Sequence, residues 1–190
     1  MADYIGFPPD YLRFKRLKRN TARIELARDL NRFCYRYRLA KCFEGIFAPG
    51  VGPTLHLYSI MNKVFLCVTA YEALVKAGFK WQGFDSPFKN EFYEPILADN
   101  LRDNKKLKTL LTTYLDKEKD LINKVDDFFS SYSADVHPIA FGLRHVYAHG
   151  DFTASAAGMR SVSYRNDINQ LGHVTLKNAE IIFSTLIQKL

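Results

Sequence analysis

The sequence predicts an all-α protein, an antiparallel helical bundle of about five to six helices. Three observations predict it: apolar residues recur at helical spacing over long segments, strand signals are scarce, and glycine and proline fall between those segments. A chain of 190 residues, 47% of them apolar, can bury about 70% of its unfolded surface and needs neither metal nor disulfides to hold a core. Residues 1–190 therefore read as a single helical domain with a short basic N-terminal extension over about residues 1–19.

The first amphipathic segment runs from Asn20 to Phe47, where Leu26, Leu30, Phe33 and Tyr37 share one helical face. Arg28, Arg32 and Arg36 lie opposite, with Glu25 and Asp29 near enough to pair with them. Asn20 or Thr21 can cap the start, and the run from Pro49 to Pro53 ends the region as a turn. Thr54 to Gly78 is too long for a strand and rich in Leu, Met and Ala, as a buried helix is. Phe79, Trp81, Phe84, Phe88, Phe92 and Tyr93 then crowd a loop, expected to be a hydrophobic lid rather than a base-stacking platform.

Asn100 to Tyr132 fits one long helix or a helical pair on either side of the charged run Asp116 to Asp120. A shorter helix spans Pro138 to His149, because proline is tolerated in a first turn and Gly150 can stop the helix. Asp151 to Gly172 reads as a small-residue connection with room for a short hairpin, and Thr175 to Lys189 as the closing helix.

The net charge of +7 is unevenly spread: residues 1–44 hold 11 basic and 5 acidic residues, and the remainder is nearly neutral. Such a segment suits a polyanion, with Arg28, Arg32, Arg36 and Arg38 as the candidate RNA-binding residues. Cys34, Cys42 and Cys67 are odd in number, lack CxxC spacing and sit among apolar residues, so they are expected as buried thiols in a reducing, cytoplasmic setting. The longest apolar run, Val64 to Tyr71, is flanked by Lys63 and Glu72, and the first residues lack a basic segment followed by a long apolar one; neither a membrane partner nor export is expected. There is no GxGxxG after a strand, no GxxxxGK[ST], no HExxH and no GxSxG, which removes several large enzyme classes.

What stands out is the segment Phe141 to Gly150. At ~100° per residue, Ile139, Leu143 and Val146 form a core stripe with Ala140 and Tyr147 at its edge. Arg144, His145 and His149 point away from it, and Phe141 and Ala148 are expected between them on the outward face. An apolar strip bracketed by Arg and His fits a protein partner, most economically a second copy of the same helix across a two-fold axis. Arg144 and His149 are ~140° apart on one straight helix, so two copies would help them converge. Arg donates bidentate, charge-assisted hydrogen bonds to phosphate, while His exchanges a proton near neutrality.

The Arg144-x4-His149 spacing, with polar His145 after the Arg and an Ala-His-Gly ending, resembles the Rx4-6H signature of the HEPN (higher eukaryotes and prokaryotes nucleotide-binding) superfamily. Ala70-Tyr71-Glu72-Ala73-Leu74 resembles the Glu-containing second helix of many members, so the likeness covers residues 54–78 and 137–152. It implies a HEPN-like bundle that dimerises through the 138–150 helix and cleaves RNA without metal or cofactor, leaving a 2′,3′-cyclic phosphate. Such proteins are often toxins or defence effectors, which implies a cognate antitoxin. Arg144 would stabilise charge on the scissile phosphate and His149 would act as general base or acid. His145, Glu72 and Tyr147 would support them, Glu72 by orienting Arg144 or His149.

Two other readings compete. A non-catalytic HEPN dimer could bind nucleotide, nucleic acid or a partner protein, because fold and activity are separable. His145 and His149 also form an i, i+4 pair to which Asp151 or His173 could add a zinc ligand, although no Glu sits between them as a metalloprotease requires. His56, His137 and His173 read as local hydrogen-bonding or surface residues, and Lys105, Lys106 and Lys108 as solvated surface.

Overall fold

The computed structural model describes residues 5–20, 24–50, 54–79, 92–153 and 158–189. These form eight helices: α1 (Tyr11–Asn20), α2 (Ile24–Cys42), α3 (Thr54–Phe79), α4 (Pro95–Asp103), α5 (Lys105–Tyr114), α6 (Lys119–Phe129), α7 (His137–Ala148) and α8 (Val162–Lys189). No strand occurs among the described residues, and the protein is an all-α bundle. None of its described helices is long and apolar enough to cross a membrane.

The described helices differ from the expected five to six in three local ways. First, the basic extension is itself helical over α1, since Tyr11, Phe14 and Leu17 share a face that packs against α2 and α8; Phe14 meets Phe183 edge-on at 5.9 Å. Second, the segment from Asn100 to Tyr132 is neither one helix nor a pair. Asn104 breaks it by accepting a hydrogen bond from the Leu107 N–H, which starts α5, and Leu115 ends α5 before the charged run. Third, α8 begins at Val162, so helix replaces the hairpin considered for the connection after Asp151. The Asn20 to Phe47 segment is shorter than expected, with α2 ending at Cys42. Most of the aromatic loop lies outside the described residues; of its members Phe92 packs against the core and Tyr93 is exposed.

Two clusters of buried side chains make up the core. One joins the first half of α3 and the start of α8 to α4–α7, around Met61, Leu111, Phe128, Leu143 and Leu171; the other joins α1 and α2 to the later halves of α3 and α8, around Leu30, Phe33, Leu74 and Phe183. Hence α3 and α8 run side by side in the same direction, with Gly172 of α8 facing Val64 and Cys67 of α3. α2 runs antiparallel to both, its Arg36 reaching the Thr69 carbonyl and its Tyr37 reaching Glu180. α7 is antiparallel to α3, which it meets through Tyr147 on Phe65 and Phe141 on Tyr71. α3 is thus flanked by α2 and α7.

Candidate functional site

α7 is a short helix with a defined start and stop. Pro138 occupies its first turn, where a missing N–H costs nothing. At the other end Gly150 has φ +80°, its N–H donates to the Tyr147 carbonyl, and the Asp151 N–H donates to the Val146 carbonyl. This pairing closes the helix as a Schellman motif and leaves His149 at the exposed end. Ile139, Leu143 and Val146 are buried as the core stripe.

Arg144 projects toward α3, where its Nη2 donates to the Glu72 carboxylate at 3.3 Å. Each of the two side chains keeps 33% of its surface exposed, so the pair sits at the rim of the bundle rather than inside it. The Arg144 Nε is buried and finds no acceptor among the described residues. The rings of His145 and His149 contact one another, with centroids 4.4 Å apart, as the 40° offset of i and i+4 positions dictates. No hydrogen bond or ion pair among the described residues joins Arg144 to either imidazole. At ~100° per residue, Arg144 stands ~100° from His145 and ~140° from His149 around α7.

Tyr147 packs its ring against Phe65 and Phe152, and burial pushes its hydroxyl pKa up. Phe141 corrects an expectation: it is not part of an outward strip but half-buried, edge-on to Tyr71 and packed against both core clusters. The reason is tertiary, since α3 covers the flank of α7 that helical geometry alone leaves open. Ala148 remains exposed.

The arginines of α2 divide. Arg28, Arg32 and Arg36 form one exposed stripe, Arg32 pairs with Asp29 at 3.3 Å, and Arg36 lies over α3 at Thr69, one turn before Glu72. Arg38 turns the other way and stacks on Phe7 at 4.8 Å, so it does not join that stripe.

The sequence predicts His137 as a local hydrogen-bonding or surface residue. Its Nδ1 does meet Asp135 at 2.7 Å, but the side chain is buried, with 3% of the residue exposed, and its ring lies 4.9 Å from Tyr71. Asp135 two residues before His137 was the available signal. Tyr71 and Glu72 thus face His137 and Arg144 in turn, bracing both ends of α7 against α3. Among the described residues no three His, Cys, Asp or Glu side chains gather closely enough to hold a metal, and His173 lies in a separate hollow with Lys63. The thiols also divide: Cys34 and Cys67 are buried, but Cys42, at the end of α2, is exposed.

Comparison of the chain with protein-family models, with curated proteins and with solved structures finds no match.

Proposed function

We propose that the protein is a HEPN-like, metal-independent endoribonuclease that acts as a homodimer through the α7 helix and belongs with the toxins and defence effectors, with a cognate antitoxin as its second partner. The observation that carries this reading is Arg144: a guanidinium held by Glu72 at the bundle rim, on the helix that ends in the His145–His149 pair, of which His149 is exposed. A dimer across α7 would bring one chain's guanidinium toward the other's imidazoles, which one chain keeps apart. In that cleft Arg144 would offset the charge developing on the scissile phosphodiester. His149 would take the 2′-hydroxyl proton as that oxygen attacks phosphorus, the P–O5′ bond breaks, and a second imidazole returns a proton to the leaving 5′-oxygen. Arg28, Arg32 and Arg36 supply a basic stripe beside α3 that suits the RNA backbone.

Arg144 is engaged by Glu72 and hydrogen-bonds neither imidazole among the described residues, which favours a second reading, a non-catalytic HEPN dimer that binds nucleotide, nucleic acid or a partner protein. RNA cleavage in the presence of chelator, by the wild type and by Arg144→Ala and His149→Ala, separates the two. The nuclease reading expects 2′,3′-cyclic phosphate ends from the wild type and a loss of about a hundredfold or more in each variant. Cleavage equal in all three proteins overturns the site. Retained RNA binding without cleavage establishes the second reading instead.

A further inference from the structure

A hollow of about 330 Å³ opens where the connection after α2 meets the first halves of α3 and α8. It is walled by Phe43 and Glu44, by His56, Ser59, Ile60 and Lys63 of α3, and by Arg165, Asn166, Asn169 and His173 of α8. It lies on the other side of α3 from the Arg144 site, because Lys63 and Phe65 are ~200° apart around the helix. Two cations and two imidazoles face a single carboxylate there. Lys63 is already engaged: its ammonium donates to the carbonyls of Ala40, Lys41 and Phe43 and so caps the end of α2. The side chains of Arg165, His56, His173, Asn166 and Asn169 have no hydrogen-bond or ion-pair partner among the described residues. Five hydrogen-bonding side chains thus line one cavity without a partner among the described residues, His56, Asn166 and His173 exposed and Arg165 and Asn169 half-buried.

We propose that this hollow binds a small phosphorylated molecule, its phosphate held by Arg165 with His56 and His173 and its uncharged part laid against Phe43 and Ile60. The excess of cationic groups selects an anion, and the planar guanidinium with convergent imidazoles and amides suits the several oxygens of a phosphate. The volume is at the lower end of the range for small-molecule sites, roughly 300–1,000 Å³, which fits a sugar phosphate or a mononucleotide rather than a polymer. Burial, with the charges of Lys63 and Lys41, holds the His173 imidazole below its usual pKa. Glu44, His56, Lys63 and Arg165 are the other titratable or charged groups facing it. The negative charge of a bound phosphate would favour the imidazolium and so oppose that shift.

Calorimetric titration of the full chain with inorganic phosphate, ribose 5-phosphate and adenosine monophosphate, against ribose and adenosine, tests this. The phosphorylated probes are expected to bind at least about tenfold tighter than their unphosphorylated forms, and to lose about tenfold or more in Arg165→Ala. Which organic phosphate exceeds inorganic phosphate identifies the class of ligand. Arg144→Ala is expected to leave this binding unchanged, which keeps the result independent of the nuclease reading. Should Arg165→Ala not fold, Arg165→Lys removes the bidentate fork and serves the same purpose. No binding up to about 10 mM, equal binding by the Arg165 variants, or loss in Arg144→Ala with retention in Arg165→Ala overturns the proposal.

Discussion

The guanidinium of Arg144 lies 3.3 Å from the carboxylate of Glu72, joining residues 72 positions apart in the chain, and each side chain is one third exposed to solvent. That exposure sets what the pair can do. A rim pair contributes only about 0.5–1 kcal/mol to folding, because water screens it. Its larger effect is to choose which way a mobile arginine points.

Glu72→Gln is therefore expected to lower the melting temperature by only a few degrees, about 2–4 °C. RNA cleavage should fall by about tenfold, since Arg144 loses its orienting anion. The exchanged pair Glu72→Arg with Arg144→Glu should regain the lost stability but not the cleavage. Full activity in the exchanged protein would remove Arg144 from the catalytic role.

Gly142 faces α5, where an added Cβ would come within 2.9 Å of Leu111 Cδ2 and 3.0 Å of Leu115 Cδ1. Gly142→Ala gains about 1 kcal/mol of helix propensity, which the displaced leucine tips offset, so a nearly unchanged denaturation midpoint is expected. Gly142→Val has no such escape and should cost about 2–3 kcal/mol. Equal midpoints for both variants would show that α5 and α7 are not closely packed.

Tyr37 donates to Glu180 at 2.7 Å across the α2–α8 interface. Burial pushes the Glu180 carboxyl up, but hydrogen bonds from Lys177 and Tyr37 and the charges of Lys177 and Lys41 outweigh it and leave its pKa below the usual value. The folded state then holds the proton less tightly than the unfolded chain does. The stabilisation is present above the unfolded pKa and disappears as pH falls through the folded one. Tyr37→Phe should cost about 1–2 kcal/mol at pH 7 in urea denaturation, with the difference from wild type narrowing below about pH 4.

Burial raises the thiol pKa of Cys34 and moves that of Cys67 up to about 12, whereas Cys42 is exposed. A maleimide at neutral pH should label one thiol in the native protein and three after denaturation. Cys42→Ser should abolish the native labelling, and labelling of Cys67 at a similar rate would contradict the packing of α3 against α8.

Elements whose signals are local were legible. α3 starts at Thr54 as its turn residues indicate and ends within one residue of the expected Gly78, while α7 is bounded by Pro138 and Gly150. The Arg144, His145 and His149 orientations follow from the same periodicity. The start of α8 carries no local helix signal, because Ser161, Ser163, Asn166, Asp167 and Asn169 favour a connection. In the fold, Asp167 is buried and accepts from Asn100 at 3.0 Å, and Ile168 and Leu171 enter the core. Partners from α3 and α4 make a helix of a stretch with weak local preference.

Periodicity along the chain was enough to establish an all-α bundle, the core stripe of α7 and the position of Arg144 off that stripe, because helical faces depend on residues three and four apart. Only the packing of distant segments decided that Glu72 meets Arg144, that α3 covers Phe141, that Arg38 leaves its neighbours for Phe7, and that His56 and Arg165 share a hollow. These pairings join positions remote in the chain, and the energy that selects among them is the burial of apolar surface across the whole bundle. No local spacing records that sum.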